Sequence, residues 1–268
     1  MRDGATPRFS TDTSGVVRNF LFWFGLVLWI LCFLPPFRTW AQQYQYVQAT
    51  QYAGFAFLIP ALLIAGAPWR WLGLASGVAP QIDDDGQMLA QVPLRRMDEY
   101  AMVRVRHERN TRSSWLLGLF LAVNIFWRVA PVVDFVVHHN WVVVFESLSL
   151  VLTGGFFWTE LIESPPLSPR TTRPYRVVMS IVAMWVIWVL AYIDAMSRST
   201  FYTAFHHVAG HGISASADQQ IAAALQWFLS AIVFVPVIYW NLLHWIQSEE
   251  NPTDELNRMI RRQRWIGP

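Results

Sequence analysis

The sequence contains no lysine and a single cysteine. Its 20 basic residues are therefore all arginine, and against 18 acidic residues they leave a formal charge of +2, too small an excess to recruit a polyanion such as nucleic acid. With Cys32 alone, an intramolecular disulfide framework and any CxxC redox or metal motif are excluded. A metal would need histidine, methionine or carboxylate ligands. There is no repeat at a fixed period and no low-complexity tract. P-loop, dinucleotide fingerprint, nucleophile elbow and HExxH are also missing, which argues against an enzyme built on nucleotide or covalent chemistry.

What the chain has in excess is apolar surface. Hydrophobic residues make up 54% of it, with 15 Trp and 18 Phe, which places it outside the soluble class. Six apolar runs are each near the length that crosses a bilayer: Asn19 to Phe37, Tyr52 to Pro68, Trp115 to Val137, Trp141 to Ile162, Val177 to Ile193 and Gln219 to Trp245. The expectation is an all-α, polytopic membrane bundle of about six transmembrane helices, occupying 19–246 between polar tails at 1–18 and 247–268. Thr39-Trp40-Ala41 loosely resembles a cleavage site, but the first run is longer than a usual signal core and reads as a retained anchor.

Arginine placement orients the bundle. The N-terminal tail, the loops 69–114 and 163–176 and the C-terminal tail hold 17 arginines, leaving Arg38, Arg128 and Arg198 on or towards the other side. By the positive-inside rule both termini are cytoplasmic. Loop 69–114, with a DDDG turn at Asp83 to Gly86, reads as a solvated linker or a docking surface. The outer loop spans 194–218.

The most informative stretch is Trp141 to Pro166, long enough to cross a bilayer yet carrying Glu146 and Glu160. A carboxylate in hydrocarbon costs about 2.5 kcal/mol or more, so it must face protein, water or an ion. Glu146, Ser149, Thr153 and Glu160 share one helical face, and Gly154 and Gly155 beside them permit close helix contact. Arg128 lies in the preceding run, across the tight turn His138-His139-Asn140. The two helices so joined are neighbours, and an Arg128–Glu146 ion pair, charges within about 4 Å, is expected.

Histidines are lopsided. His138, His139, His206, His207 and His211 fall on the predicted outer side, against only His107 and His244 inside. Neutral imidazole suits copper, zinc, iron and nickel, so these five are candidate metal ligands, with Met196 and Asp194 nearby. Asp218 is expected to cap the sixth helix, and Gln219, Gln226 and Ser230 to share a face that continues the polar interior.

Three blocks carry a resemblance to the integral-membrane cytochrome c oxidase assembly factors named CtaG. LIPALLIAGAPWRW from Leu58 resembles that family's proline-interrupted helix ending in GxP, and FESLSLVLTGGFFW its EHxxFxxTGxxFW helix. FYTAFHHVAGHGISASADQQIAAALQW resembles its last outer loop, DQ signature and following helix. The resemblance implies a non-enzymatic factor of the bacterial cytoplasmic membrane that works with lipid, respiratory oxidase subunits or a copper chaperone and supports copper insertion. Where that family has histidines at the head of the second helix this chain has Gln48 and Tyr52, and Ser147 follows the glutamate, which marks a divergent, histidine-poor and shorter member. Two other classes fit less well: a solute or ion transporter built on the buried charges, and a b-type cytochrome using His244.

Overall fold

The computed structural model describes residues 12–71, 110–164, 167, 169, 171–197, 200–210 and 212–250. Among them the chain is helical and has no strand, only an isolated bridge between Ser164 and Leu167. The helices are α1 (Asp12–Leu31), α2 (Phe37–Gln43), α3 (Gln45–Ala53), α4 (Ile59–Ala65), the single turn α5 (Pro68–Trp71), α6 (Asn110–Trp127), α7 (Ala130–His138), α8 (Asn140–Leu161), α9 (Arg173–Met196) and α10 (Ala215–Glu250). A π-helical turn, Gly54–Leu58, joins α3 to α4 without a break, and a 3-10 segment, Thr203–Gly210, lies between α9 and α10.

The bundle is organised around α3–π–α4, which packs against α1, α8 and α10. Small residues allow this: Ala49, Ala53 and Ala56 are all fully buried, and a bundle without solvent inside is held by close packing of such side chains. Gly154 of α8 meets it at its tightest point, where a Cβ would stand 2.8 Å from Pro60 Cγ and 3.0 Å from the Ala56 carbonyl. Gly66, after α4, sits as close to the Phe22 backbone of α1. Around the axis an apolar core runs from Tyr52 through Phe120, Leu150, Phe157 and Trp158 to Phe234, with Phe120 and Phe157 stacked at 4.4 Å.

Four helices are long and apolar enough to cross a membrane, Gln45–Ala65, Asn140–Leu161, Arg173–Met196 and Ala215–Gln247. A fifth crossing is counted if the bent pair α6–α7 is one span, and Gly15–Leu31 is a shorter apolar helix. The outward faces carry Phe145, Leu152, Phe156, Trp185, Phe228 and Trp240, the surface of a membrane protein and not of a soluble one.

Several boundaries differ from the sequence expectation, each for a physical reason. The third run is not one straight helix: α6 and α7 meet at 67°, because the Pro131 ring would collide with the Trp127 carbonyl if the helix continued. The second helix starts at Gln45 and not at Tyr52, since Asp218 of α10 accepts the free amides of Gln45 (2.7 Å) and Tyr46 (2.9 Å). Asp218 thus caps α3 from another helix, while Ser214 Oγ takes the Ala217 amide of α10 at 3.1 Å. The expected role of Asp218 as the cap of its own helix is corrected accordingly. Most of loop 69–114, with its DDDG turn and His107, lies outside the described residues.

Candidate functional site

Where α3 begins, α9 ends and α6 breaks, charged and amide side chains converge inside the bundle. The break leaves Arg128 pointing inward, 5% exposed. One guanidinium nitrogen forms a salt bridge with Asp194 at the end of α9, another donates to Gln48 Oε1 at 3.4 Å, and the group lies 5.2 Å from the ring centres of both Tyr52 and Tyr202. The Tyr202 hydroxyl reaches Asp194 (3.2 Å) and the Arg128 carbonyl freed by the break (3.3 Å). Burial pushes the Tyr202 phenol above its ordinary range, so it remains a donor. Gln219 Nε2 donates to the Asp194 carbonyl at 2.6 Å, fixing the end of α9.

A second arginine works beside the first. Arg38, from α2, donates to Asn140 Oδ1 (3.2 Å), to the Val136 carbonyl (3.2 Å) and to Gln51 Oε1 (3.5 Å), tying α2, α3 and the α7–α8 turn together. Glu146 of α8 is buried here too, 1% exposed, within electrostatic reach of both guanidiniums. Among the described residues its Oε1 meets no hydrogen-bond partner, nor do the Arg128 Nε and the side-chain amide of Gln45.

The expected Arg128–Glu146 pair is therefore corrected: the salt-bridge partner of Arg128 is Asp194. The α6–α7 break swings Arg128 towards α9, a geometry that a straight hairpin would not give. Glu146 and Glu160 do face protein, at 1% and 2% exposure. Ser149 and Thr153, half-buried beside them, bond backbone carbonyls of their own helix, and Ser149 Oγ also accepts from Trp127 Nε1 at 2.8 Å. Gln219, Gln226 and Ser230 are all buried along one face of α10, with Ser230 Oγ accepting from Trp188 Nε1. Sequence reasoning missed Arg38, Gln51 and Tyr202. Asp194, the one acidic residue of α9, was the signal that could have found the partner of Arg128.

The described outer histidines, His138, His139 and His206, do not converge. His138 and His139 are exposed at the α7–α8 turn, each with Nδ1 against a carbonyl of its own helix, and exposed His206 directs Nε2 at the Thr200 carbonyl. Among the described residues no three His, Cys, Asp or Glu side chains form a metal-sized group. The side chain of His207 and all of His211 lie outside them. At the opposite end His244 holds its Nδ1 on the Trp240 carbonyl and its ring against Trp240.

A membrane-embedded helical bundle with a charged network closed inside one end defines the class. The family model of the cytochrome c oxidase caa3 assembly factor, Caa3_CtaG, matches residues 6–248. The chain belongs to that family. No curated protein and no solved structure matches it.

Proposed function

We propose that this protein is a non-enzymatic factor of the bacterial cytoplasmic membrane that helps a caa3-type cytochrome c oxidase mature, assisting copper insertion from the outer face. Family membership over 6–248 is the observation that carries the reading. Copper here is cargo, passed on at the end bearing His138, His139 and His206, with His207 and His211 in the same loop, to oxidase subunits or from a copper chaperone. Arginine asymmetry in the sequence supports an outer location for that end. Counting α1 and the bent α6–α7 pair as one crossing each, six spans leave both termini on one side, and the arginine asymmetry supports the cytoplasmic one.

Deleting the gene and measuring cytochrome c oxidase activity and membrane copper tests this directly. Loss of both, restored by the intact chain, is expected; unchanged values in both would end the reading. Topology is checked separately in a Cys32→Ser background, where Ser216→Cys should react with an impermeant maleimide in intact cells. Labelling only after the cells are broken would invert the orientation and remove the outer-face role.

A further inference from the structure

The stretch Phe201–Phe205 lies over the Arg128–Asp194 pair and is fastened by a small set of bonds. The Phe201 amide donates to Gln219 Oε1 at 2.7 Å. The Tyr202 hydroxyl reaches Asp194 and the Arg128 carbonyl. Thr203 Oγ1 and the Ala204 amide donate to the two oxygens of Asp134 on α7, at 2.7 and 2.9 Å. Its apolar side chains belong to a cluster of their own: Tyr202 and Phe205 are buried against Val133 and Val137, with Tyr44, Ala130 and Ala204 at the margin, separate from the main core.

This separation sets the energetics. A segment with its own small core and its own fastenings loses only those when it lifts, and such units open well below the cost of global unfolding. The pair underneath has partners outside the segment that remain when Tyr202 leaves it. Arg128 keeps its bonds to Asp194 and Gln48, and Gln219 keeps the end of α9 in place through the Asp194 carbonyl.

We propose that Phe201–Phe205 is a detachable strap that lifts as one unit, uncovering a preassembled arginine–aspartate pair to the aqueous phase at this end of the bundle. The strap carries His206 at its edge, so lifting also moves one imidazole relative to His138 and His139. Asp134 is the latch: it alone holds two strap groups from outside the charged network.

Hydrogen–deuterium exchange on the full-length protein in nanodiscs tests this without reference to the oxidase. The amides of Phe201, Ala204 and Phe205 should exchange together, about tenfold or more faster than those of α8 around Leu150. Asp134→Ala should accelerate all three by about tenfold and leave α8 unchanged. Exchange of the strap at the α8 rate, or acceleration of Ala204 alone, would overturn the proposal. A cross-link gives the converse result. In a Cys32→Ser background, Asp134→Cys with Thr203→Cys should slow Phe201 as well as Ala204 when oxidised, and release both on reduction; an unaffected Phe201 would show that the strap is not a unit. Should Asp134→Ala fail to fold, the native exchange rates and the cross-link decide. Oxidase maturation in the cross-linked strain is a separate readout: its loss on oxidation ties the strap to the proposed function, while slowed exchange with normal maturation leaves the strap intact and removes that tie.

Discussion

The two ends of the bundle solve the same problem in different ways. At the end opposite the charged network, polar side chains close helix ends and loops: Ser164 Oγ donates to the Ile64 carbonyl (2.5 Å), Thr171 to the Glu160 carbonyl (3.3 Å), Arg176 to the Thr171 carbonyl (3.0 Å) and Arg173 to the His244 carbonyl (2.8 Å). Even Glu160 has a hydroxyl partner, Ser113 at 3.1 Å. The other end closes carbonyls too, those of Val136, Arg128 and Asp194, but adds side-chain pairs across helices distant in sequence, Arg128 with Asp194 and Arg38 with Asn140. Among the described residues it offers no hydrogen-bond partner to Glu146 Oε1, Arg128 Nε or the Gln45 side-chain amide. Carbonyl-closing bonds are what folding in lipid requires. Buried charge pairs are weak contributors to stability and fail badly when half is removed, so the Arg128–Asp194 pair makes its end the one more sensitive to loss of a single partner.

The largest effect should follow from halving the pair. Asp194→Ala strands Arg128 in the interior at a cost of about 3 to 5 kcal/mol, read as loss of folded protein in detergent by fluorescence-detected size exclusion. Arg128→Met together with Asp194→Leu should recover most of it; no recovery would mean the pair is not the unit that matters. Asp218→Ala, which removes the cap supplied to α3 from α10, should cost about 0.5–2 kcal/mol, seen as a lower thermal midpoint with the fold retained. At the opposite pole, Ser164→Ala removes one of the two donors to the Ile64 carbonyl, which keeps the Ala67 amide at 3.0 Å, at about 1 kcal/mol. An equal or larger loss there than at Asp194 would erase the distinction between the poles. The smallest change is expected for Glu163→Gln, because its contact with Arg176 is long, 3.9 Å, and its carboxylate mostly exposed; about 0–1 kcal/mol bounds it.

The sequence made the helices legible because long apolar runs leave a membrane chain little choice, and every run it marked contains a helix. It also placed Glu146 and Glu160 facing protein, from helical spacing alone. What it could not supply was any quantity set by a helix bend. Arg128 was matched to the nearest acid along a straight hairpin, whereas the 67° turn before Pro131 directs it to Asp194 on a helix 66 residues away. Asp218 was read as a local cap for the same reason: the local rule is right about what an aspartate at a helix head does, but silent on which helix. The five-histidine grouping came from counting residues by side of the membrane, and the three described side chains, His138, His139 and His206, each turn to a backbone carbonyl.

The π-helical turn Gly54–Leu58 takes one residue more per turn than an α-helix, and so acts as a phase shifter within a single rod. Upstream, Gln45, Gln48 and Tyr52 fall on one stripe, from which Gln48 and Tyr52 meet Arg128. Downstream, Pro60 meets Gly154, and Leu62 and Leu63 meet Gly25 of α1. In an uninterrupted α-helix the two sets would be offset from their present bearings by about 100°. One of the two would then miss its neighbour. Deleting a single residue from this turn should therefore act at a distance, keeping the helix intact while uncoupling the charged end from the packing of α4 on α1 and α8.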